Sequence, residues 1–184
     1  MNIIRNRFIV AFILFSVCNS FLHAQTIEET RGGLYKLMMA FPSKFQTLKG
    51  RPASATDPNV FFSTIEIPGT DYCVVKKDNS TGSWEWEGTI TSSDDEEEDD
   101  MEKTFKEWRK KLTELDINGA KLKPYASGKY TTENKDKFYE EGYAWRLDNS
   151  RNNIDPKYRN FTVRLECMRF EDDFLVVRLL ISDR

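Results

Sequence analysis

The C-terminal part of the sequence carries the pattern that most constrains the fold. Segments 159–170 and 174–182 are rich in apolar and β-branched side chains, and they flank the acidic triplet 171–173. Folding them about the triplet gives four cross-strand pairs: Cys167 with Val177, Leu165 with Leu179, Val163 with Ile181, and Glu166 with Arg178. Three pairs make one face apolar and the fourth places opposite charges on the other face. The pattern therefore predicts an antiparallel hairpin in this register.

Four more segments have the β-branched or aromatic character of strands. They are residues 60–67, 71–76, 83–89 and 138–147. Pro68-Gly69 stands between the first two and is typical of a turn. Stretches rich in Gly, Pro, Asn, Ser and charge are predicted to be loops, at 50–58, 79–83, 119–136 and 148–157.

Two segments have helical periodicity. The first apolar stripe predicts a helix over 27–40, with a kink or a short second helix after Pro42, and contains Ile27, Leu34, Met38, Phe41, Phe45 and Leu48. The second stripe contains Met101, Phe105, Trp108, Leu112 and Leu115. Ser93 followed by Glu96 is a candidate capping box for this second helix, which we expect to end near residues 115–119.

The order of these elements is helix, three strands, helix and at least three strands. It predicts an α+β domain with a mostly antiparallel sheet and two main helices packed on one face. The same order is compatible with a pseudo-duplication of an αβββ unit, although no sequence identity between the halves supports one. A fold class does not assign a function.

The N-terminal pattern predicts a secretory signal peptide over residues 1–24. A short positive region with Arg5 and Arg7 precedes the apolar run 8–18, and the small residue Ala24 stands at the expected cleavage site. A bilayer span needs about 20 apolar residues. The shortness of the run therefore favours a cleaved signal over a retained membrane anchor, and we expect an exported, periplasmic or extracellular protein without an integral membrane span.

Cleavage would leave residues 25–184 as a single domain. Lipidation of Cys18 is disfavoured because the bulky Val17 precedes it. The removed segment holds two arginines and no acid, so the formal net charge falls from −3 by two, to −5. The mature chain is therefore moderately acidic.

The only histidine, His23, lies inside the predicted signal. Histidine is the usual general base near neutral pH and a common metal ligand. Its loss would exclude Ser-His-Asp and Cys-His catalysis and histidine-containing zinc sites from the mature chain. We identify no catalytic residue, metal site or cofactor from the sequence.

Cys73 and Cys167 are the only cysteines after residue 24. An even number in an oxidising compartment permits one disulfide. Each cysteine falls in a predicted strand, so two buried thiols are the alternative. A reactive nucleophile is a third interpretation, disfavoured because no histidine is available to lower a thiol pKa.

A run of seven acids precedes the second helix: Asp94, Asp95, Glu96, Glu97, Glu98, Asp99 and Asp100. The favoured interpretation is a solvated loop that merges into a helix N-terminus, where negative charge is stabilising. An electrostatic docking patch is the next hypothesis. Calcium binding is weaker still, because the spacing lacks the alternating ligands and the turn glycine of an EF-hand.

Trp84 and Trp86 stand two residues apart in a strand and therefore share one face. Exposed, they would form an aromatic platform for sugar rings. Packing in the core is the favoured account, because Glu85 and Glu87 mark the opposite face as the solvated one.

The leading hypothesis for function is a non-enzymatic domain that binds another protein in the cell envelope or outside the cell. The longest basic run, Arg109-Lys110-Lys111, belongs to a helix end of an acidic protein, so no nucleic-acid partner is expected. The alternatives are a carboxylate-dependent hydrolase using acids such as Glu140 or Glu141, and a carbohydrate-binding module using Trp84 and Trp86.

Overall fold

The computed structural model describes residues 27–125, 142–148, 154–170 and 174–183. Within these ranges the chain forms helix α1 (27–40), helix α2 (Glu98–Glu114) and nine strands. The strands are β1 (Lys49–Pro52), β2 (Val60–Ser63), β3 (Asp71–Lys77), β4 (Trp84–Ser92), β5 (Asp116–Ile117), β6 (Ala120–Pro124), β7 (Gly142–Leu147), β8 (Thr162–Arg169) and β9 (Leu175–Ser182).

The described strands make one antiparallel sheet in the order β1-β2-β3-β4-β9-β8-β7-β6-β5. The predicted α+β class is confirmed. Each helix is followed by a meander, of four strands after α1 and five after α2, rather than by the three strands of the suggested repeat. The last strands of the two meanders, β4 and β9, pair at the centre and join the halves.

The C-terminal hairpin has the predicted register. Cys167 pairs with Val177, and Glu166 pairs with Arg178. The register could be predicted because one face of the hairpin is apolar and the other is charged. A slip by one residue would move every apolar side chain of the strand to the wrong face.

Two strands lie in segments that were predicted to be loops. Strand β1 (Lys49–Pro52) falls at the edge of the sheet and overlaps the predicted loop 50–58, and β6 (Ala120–Pro124) falls in the predicted loop 119–136. With their lysines and prolines, the sequences of these two strands lack the apolar–polar alternation of a half-buried strand. In β1 they are typical of an edge strand protected against further pairing.

Helix α1 covers the predicted range and packs closely on the chain before β3. A Cβ on Gly33 would lie 3.0 Å from Ile67 Cγ1, so the glycine allows this approach. Pro42 stands in a short 3-10 turn, Phe41–Ser43, that follows the helix directly. The predicted interruption is therefore a change of helix type, consistent with the missing amide hydrogen of proline.

The hydrophobic core lies between the two helices and one face of the sheet. All five residues of the predicted α2 stripe are buried: Met101, Phe105, Trp108, Leu112 and Leu115. They pack in one cluster with α1 residues such as Leu34 and with sheet residues such as Leu165 and Leu179. The side chains of β4, β8 and β9 that alternate with the core residues lie on the opposite face, called the outer face below.

Candidate functional site

The outer face of the β8–β9 hairpin becomes apolar toward its turn. Met168 pairs with Val176, and the next outer positions are Phe170 and Phe174. The amide of Phe170 donates to the carbonyl of Phe174 at 2.8 Å, and the two rings lie 6.3 Å apart. Phe170 is 46% exposed and the other three side chains are half-buried. These four residues form a partly exposed apolar surface, the hairpin tip.

The acidic run, residues 94–100, leaves the sheet beside the hairpin tip. The Ser93 amide donates to the Leu175 carbonyl at 2.9 Å, and the Leu175 amide donates to Ser93 Oγ at 3.0 Å. Ser92 pairs with Val176 in the sheet. These bonds fix the first residues of the acidic run next to the start of β9.

The start of α2 differs from the predicted capping box. Helix α2 begins at Glu98, its N-cap is Glu97, and no side chain caps it. The hydroxyl of Ser93 accepts from Leu175 instead, and the amide of Glu96 donates to the Ser92 carbonyl in a turn. The tertiary bond to β9 therefore replaces the local cap that the spacing suggested.

All seven acids of the run are exposed. Glu98, Asp99 and Asp100 occupy the first turn of α2, where the helix dipole favours negative charge. Ser92 Oγ donates to Asp95 Oδ2 at 2.5 Å. In the described ranges, no group of three or more His, Cys, Asp or Glu side chains is arranged to hold a metal ion.

The outer face at the centre of the sheet carries six charged side chains in a closed ring. In order around the charge ring they are Lys76, Glu87, Arg178, Glu166, Arg164 and Glu85. Arg164 donates to Glu85 at 2.8 Å and to Glu166 at 3.3 Å. Arg178 donates to Glu166 at 2.9 Å and to Glu87 at 3.1 Å. Lys76 lies 2.5 Å from Glu87 and 3.8 Å from Glu85 and closes the ring.

The charge ring corrects the expectation that Glu85 and Glu87 face solvent. Glu85 is 5% exposed, and Leu180, which pairs with Glu87 and with Arg164, is 1% exposed on the same outer face. Burial raises the pKa of Glu85, and Arg164 and then Lys76 oppose that rise. Three acids and three bases alternate, so the buried face is neutral and each carboxylate accepts from a cation.

The two cysteines are not joined in a disulfide, and both are buried. Cys73 is in β3 and Cys167 is in β8, and strands β4 and β9 lie between them. Three strand spacings of about 4.8 Å separate their backbones by about 14 Å, whereas a disulfide requires Cα atoms within about 7 Å. Of the three interpretations, the structure has two buried thiols.

Cys73 has a polar neighbour that the sequence did not indicate. Its Sγ lies 3.1 Å from Thr70 Oγ1, and that hydroxyl donates to the Ile67 carbonyl at 2.7 Å. Burial raises the pKa of the Cys73 thiol above its ordinary value, and the hydrogen bond to Thr70 opposes the rise. A buried thiol of raised pKa is a poor nucleophile.

The two tryptophans do not form an exposed pair. Trp86 is fully buried, and its indole nitrogen donates to Ser63 Oγ at 2.9 Å. Trp84 is half-buried at the start of β4, with Lys49 Nζ 3.1 Å from its ring centroid. The core interpretation holds for Trp86, whereas Trp84 borders a cleft.

The carboxylates suggested for a hydrolase, Glu140 and Glu141, lie outside the described residues. One described cleft of about 280 Å³ contains two acids, Asp116 and Asp148. Asp116 accepts from the Gly119 amide at 2.6 Å, and Asp148 pairs with Lys123 at 3.0 Å. Both carboxylates therefore have bonded partners.

The surface formed by the hairpin tip and the acidic run is the arrangement that sequence reasoning missed. Phe170 and Phe174 were placed in the predicted strands but were given no role. The signal was present, because two-residue spacing puts them on the face of Glu166 and Arg178, opposite the core. What the sequence could not show is the Ser93–Leu175 pairing, which joins elements 82 residues apart.

Comparison of the chain with protein-family models, with curated proteins and with solved structures found no match. Neither helix within the described ranges has the length and apolar character to cross a membrane.

Proposed function

We propose that this chain is an exported, non-enzymatic protein-binding domain that contacts its partner through the hairpin tip and the acidic run. The observation that carries the proposal is the pair of hydrogen bonds between Ser93 and Leu175. They place exposed acids beside the partly exposed rings of Phe170 and Phe174.

This combination has the composition of a protein-binding surface. Aromatic and methionine side chains are enriched in interfaces, and contiguous exposed apolar surface is a mark of interaction sites. Acidic groups at the rim steer a partner of opposite charge and mainly affect the association rate. The partner surface that fits has an apolar depression flanked by lysines or arginines.

The proposal is tested by site-specific crosslinking followed by a binding measurement. A photoreactive residue at Phe170 in the exported chain should crosslink to one protein species in the native envelope or medium. The same residue at Tyr35, which is 38% exposed on α1, provides the matched control and should not give that product.

Binding to the crosslinked partner is then measured with purified proteins. Phe170→Ala should weaken binding by about tenfold or more, as expected for an aromatic anchor, and Tyr35→Ala should not change it. Replacing Asp94, Asp95, Glu96 and Glu97 by their amides should lower the association rate and its salt dependence. If both variants bind like the unmodified chain, or if no protein crosslinks at Phe170, the proposal is wrong.

Export is tested separately from binding. The chain recovered from outside the cytoplasm of its host should begin at Gln25, and its mass should lack residues 1–24. Recovery of the intact chain from the cytoplasm alone would contradict export and leave the binding measurement unaffected.

A further inference from the structure

A second surface lies at the other end of the sheet, where β4 begins and β9 ends. A cleft of about 220 Å³ opens there, and its lining includes Phe41, Lys44, Trp84, Lys157, Asn160 and Asp183. Pockets for drug-sized ligands measure about 300–1,000 Å³. A cleft of this size therefore admits a molecule of about one ring.

The aromatic wall of the cleft is held by its neighbours. Phe41 packs edge-on against the buried Phe161, with ring centroids 5.5 Å apart. Trp84 contacts Phe61 at 6.2 Å between centroids, and Lys49 Nζ lies over its ring. Because both rings have fixed neighbours, they present a preorganised apolar surface to the cleft.

The chain turns at the cleft through a backbone conformation that L-residues rarely adopt. Lys44 and Phe45 have φ values of 52° and 57° in succession. This turn directs Phe45 into the core, where it is 1% exposed, while Lys44 stays exposed at the rim. Non-glycine residues in this region cluster at ligand sites, where surrounding structure maintains the strain.

Four polar side chains border the aromatic wall: Lys44, Lys157, Asn160 and Asp183. Lys157 pairs with Asp155 at 2.9 Å. Within the part of the chain that the structure describes, neither Lys44 nor Asp183 has an ion-pair partner. With Lys157 balanced by Asp155, the lining offers one cation, Lys44, and one anion, Asp183, that have no ion-pair partner among the described residues.

We propose that this cleft binds a single pyranose ring that bears a carboxylate, the chemistry of a hexuronic acid unit. The apolar face of a pyranose packs on Trp84, and Asp183 and Asn160 provide a carboxylate and an amide for its hydroxyls. The amine of Lys44 faces the sugar carboxylate, and Lys157, which also pairs with Asp155, lies beside it. The site lies apart from the hairpin tip and is independent of the proposed protein-binding function.

The test is a titration of the ¹⁵N-labelled protein with sodium glucuronate. Saturable shifts are expected at the Trp84 indole and the Asn160 amide. Glucose, which lacks the carboxylate, and acetate, which lacks the ring, should each bind at least about tenfold more weakly, a difference of about 1.4 kcal/mol. Shifts of equal size with acetate would show a general anion site and overturn the proposal, as would no saturation with glucuronate.

Three variants distinguish the cleft from other surfaces. Lys44→Gln should weaken glucuronate binding and have little effect on glucose, and Asp183→Asn should weaken both sugars. Lys36→Gln, an exposed lysine of α1, is the matched control and should not change binding. Phe170→Ala should also leave the titration unchanged, so failure at one surface does not affect the conclusion on the other. Unaltered binding in Lys44→Gln would overturn the assignment.

Discussion

Arg164 of β8 and Glu85 of β4 form an ion pair of 2.8 Å although strand β9 lies between their strands. Their backbones are two strand spacings apart, about 10 Å, and the guanidinium closes that gap beside Leu180, the β9 residue that pairs with Arg164. Their side chains are 9% and 7% exposed. Because β4 ends one meander and β8 belongs to the other, this pair ties the two halves together on the outer face, opposite the core.

Removing one member of this pair should be strongly destabilising. Arg164→Ala leaves Glu85 buried, and Lys76, at 3.8 Å, is then the one cation of the charge ring beside it. The expected loss of unfolding free energy, measured by urea denaturation, is about 3–5 kcal/mol. A loss below about 1 kcal/mol would show that the pair is solvated in solution.

Two controls separate burial from charge. Lys106→Ala removes the exposed i,i+4 pair with Glu102, formed at 2.6 Å on α2, and should cost about 0.3–0.5 kcal/mol. The double variant Arg164→Met with Glu85→Gln removes both charges. The double variant should lose less unfolding free energy than the sum of the single variants Arg164→Met and Glu85→Gln. Each single variant leaves one partner buried and charged, whereas the double variant leaves neither.

The pH dependence of stability should report on Glu85. Burial raises its pKa above 4.5, so the folded chain holds the proton more tightly than the unfolded chain does. The stabilisation that comes from this tighter proton binding is complete below the pKa of the unfolded chain. It is lost as the pH rises through the higher pKa of the folded chain. The advantage of the unmodified chain over Glu85→Gln should therefore shrink as the pH increases from below 4.5 and then level off.

The measurement is urea unfolding of both proteins across that pH window. Arg164 and Lys76 act against burial, so the sign of the slope reveals which effect dominates. An advantage that grows with increasing pH would mean that the two cations outweigh desolvation and that the pKa of Glu85 is lowered in the folded chain.

The cysteines should behave as two buried thiols. In the chain 25–184, a thiol reagent at neutral pH should react slowly under native conditions and label Cys73 and Cys167 fully in urea without a reductant. Dithiothreitol should not change the thermal midpoint. If the two were bridged, reduction would lower stability by about 4 to 5 kcal/mol on the loop-entropy estimate, and labelling in urea would require the reductant.

The parts of the fold that the sequence predicted correctly are those with local periodicity or with two contrasting faces. The α2 stripe from Met101 to Leu115 and the Glu166–Arg178 register belong to this class. Strands β1 and β6 were missed because both are short and carry lysine and proline, which obscure alternation. In β1 these residues suit its place at the edge of the sheet.

The candidate surfaces were harder to predict because they depend on contacts between distant segments. Glu85 appeared solvated on alternation alone, and only the approach of Arg164 across β9 shows why it is buried. The Ser93 hydroxyl likewise had a plausible local role as a cap, but it accepts from Leu175 instead. Where a polar side chain can bond to a local partner or to a distant one with similar strength, residue spacing does not predict which bond forms.

Gly88 in β4 and Gly32 in α1 offer a matched pair of packing tests, the first at the centre of the sheet. A Cβ on Gly88 would lie 2.7 Å from Trp86 Cη2 and 3.0 Å from Thr70 Cβ, and both neighbours are buried. Gly88→Ala therefore forces the buried indole or the Thr70 side chain to move, and should destabilise the chain by about 1–3 kcal/mol.

Gly32 is the opposite case. It lies exposed in α1, and a Cβ there would meet nothing within 4 Å. Gly32→Ala should stabilise the chain by about 0.4–1 kcal/mol, because alanine restricts the unfolded chain and favours the helix. Thermal unfolding of the two variants side by side should move the midpoint in opposite directions. A Gly88→Ala variant as stable as the unmodified chain would mean that the Trp86 ring does not pack against Gly88 as described.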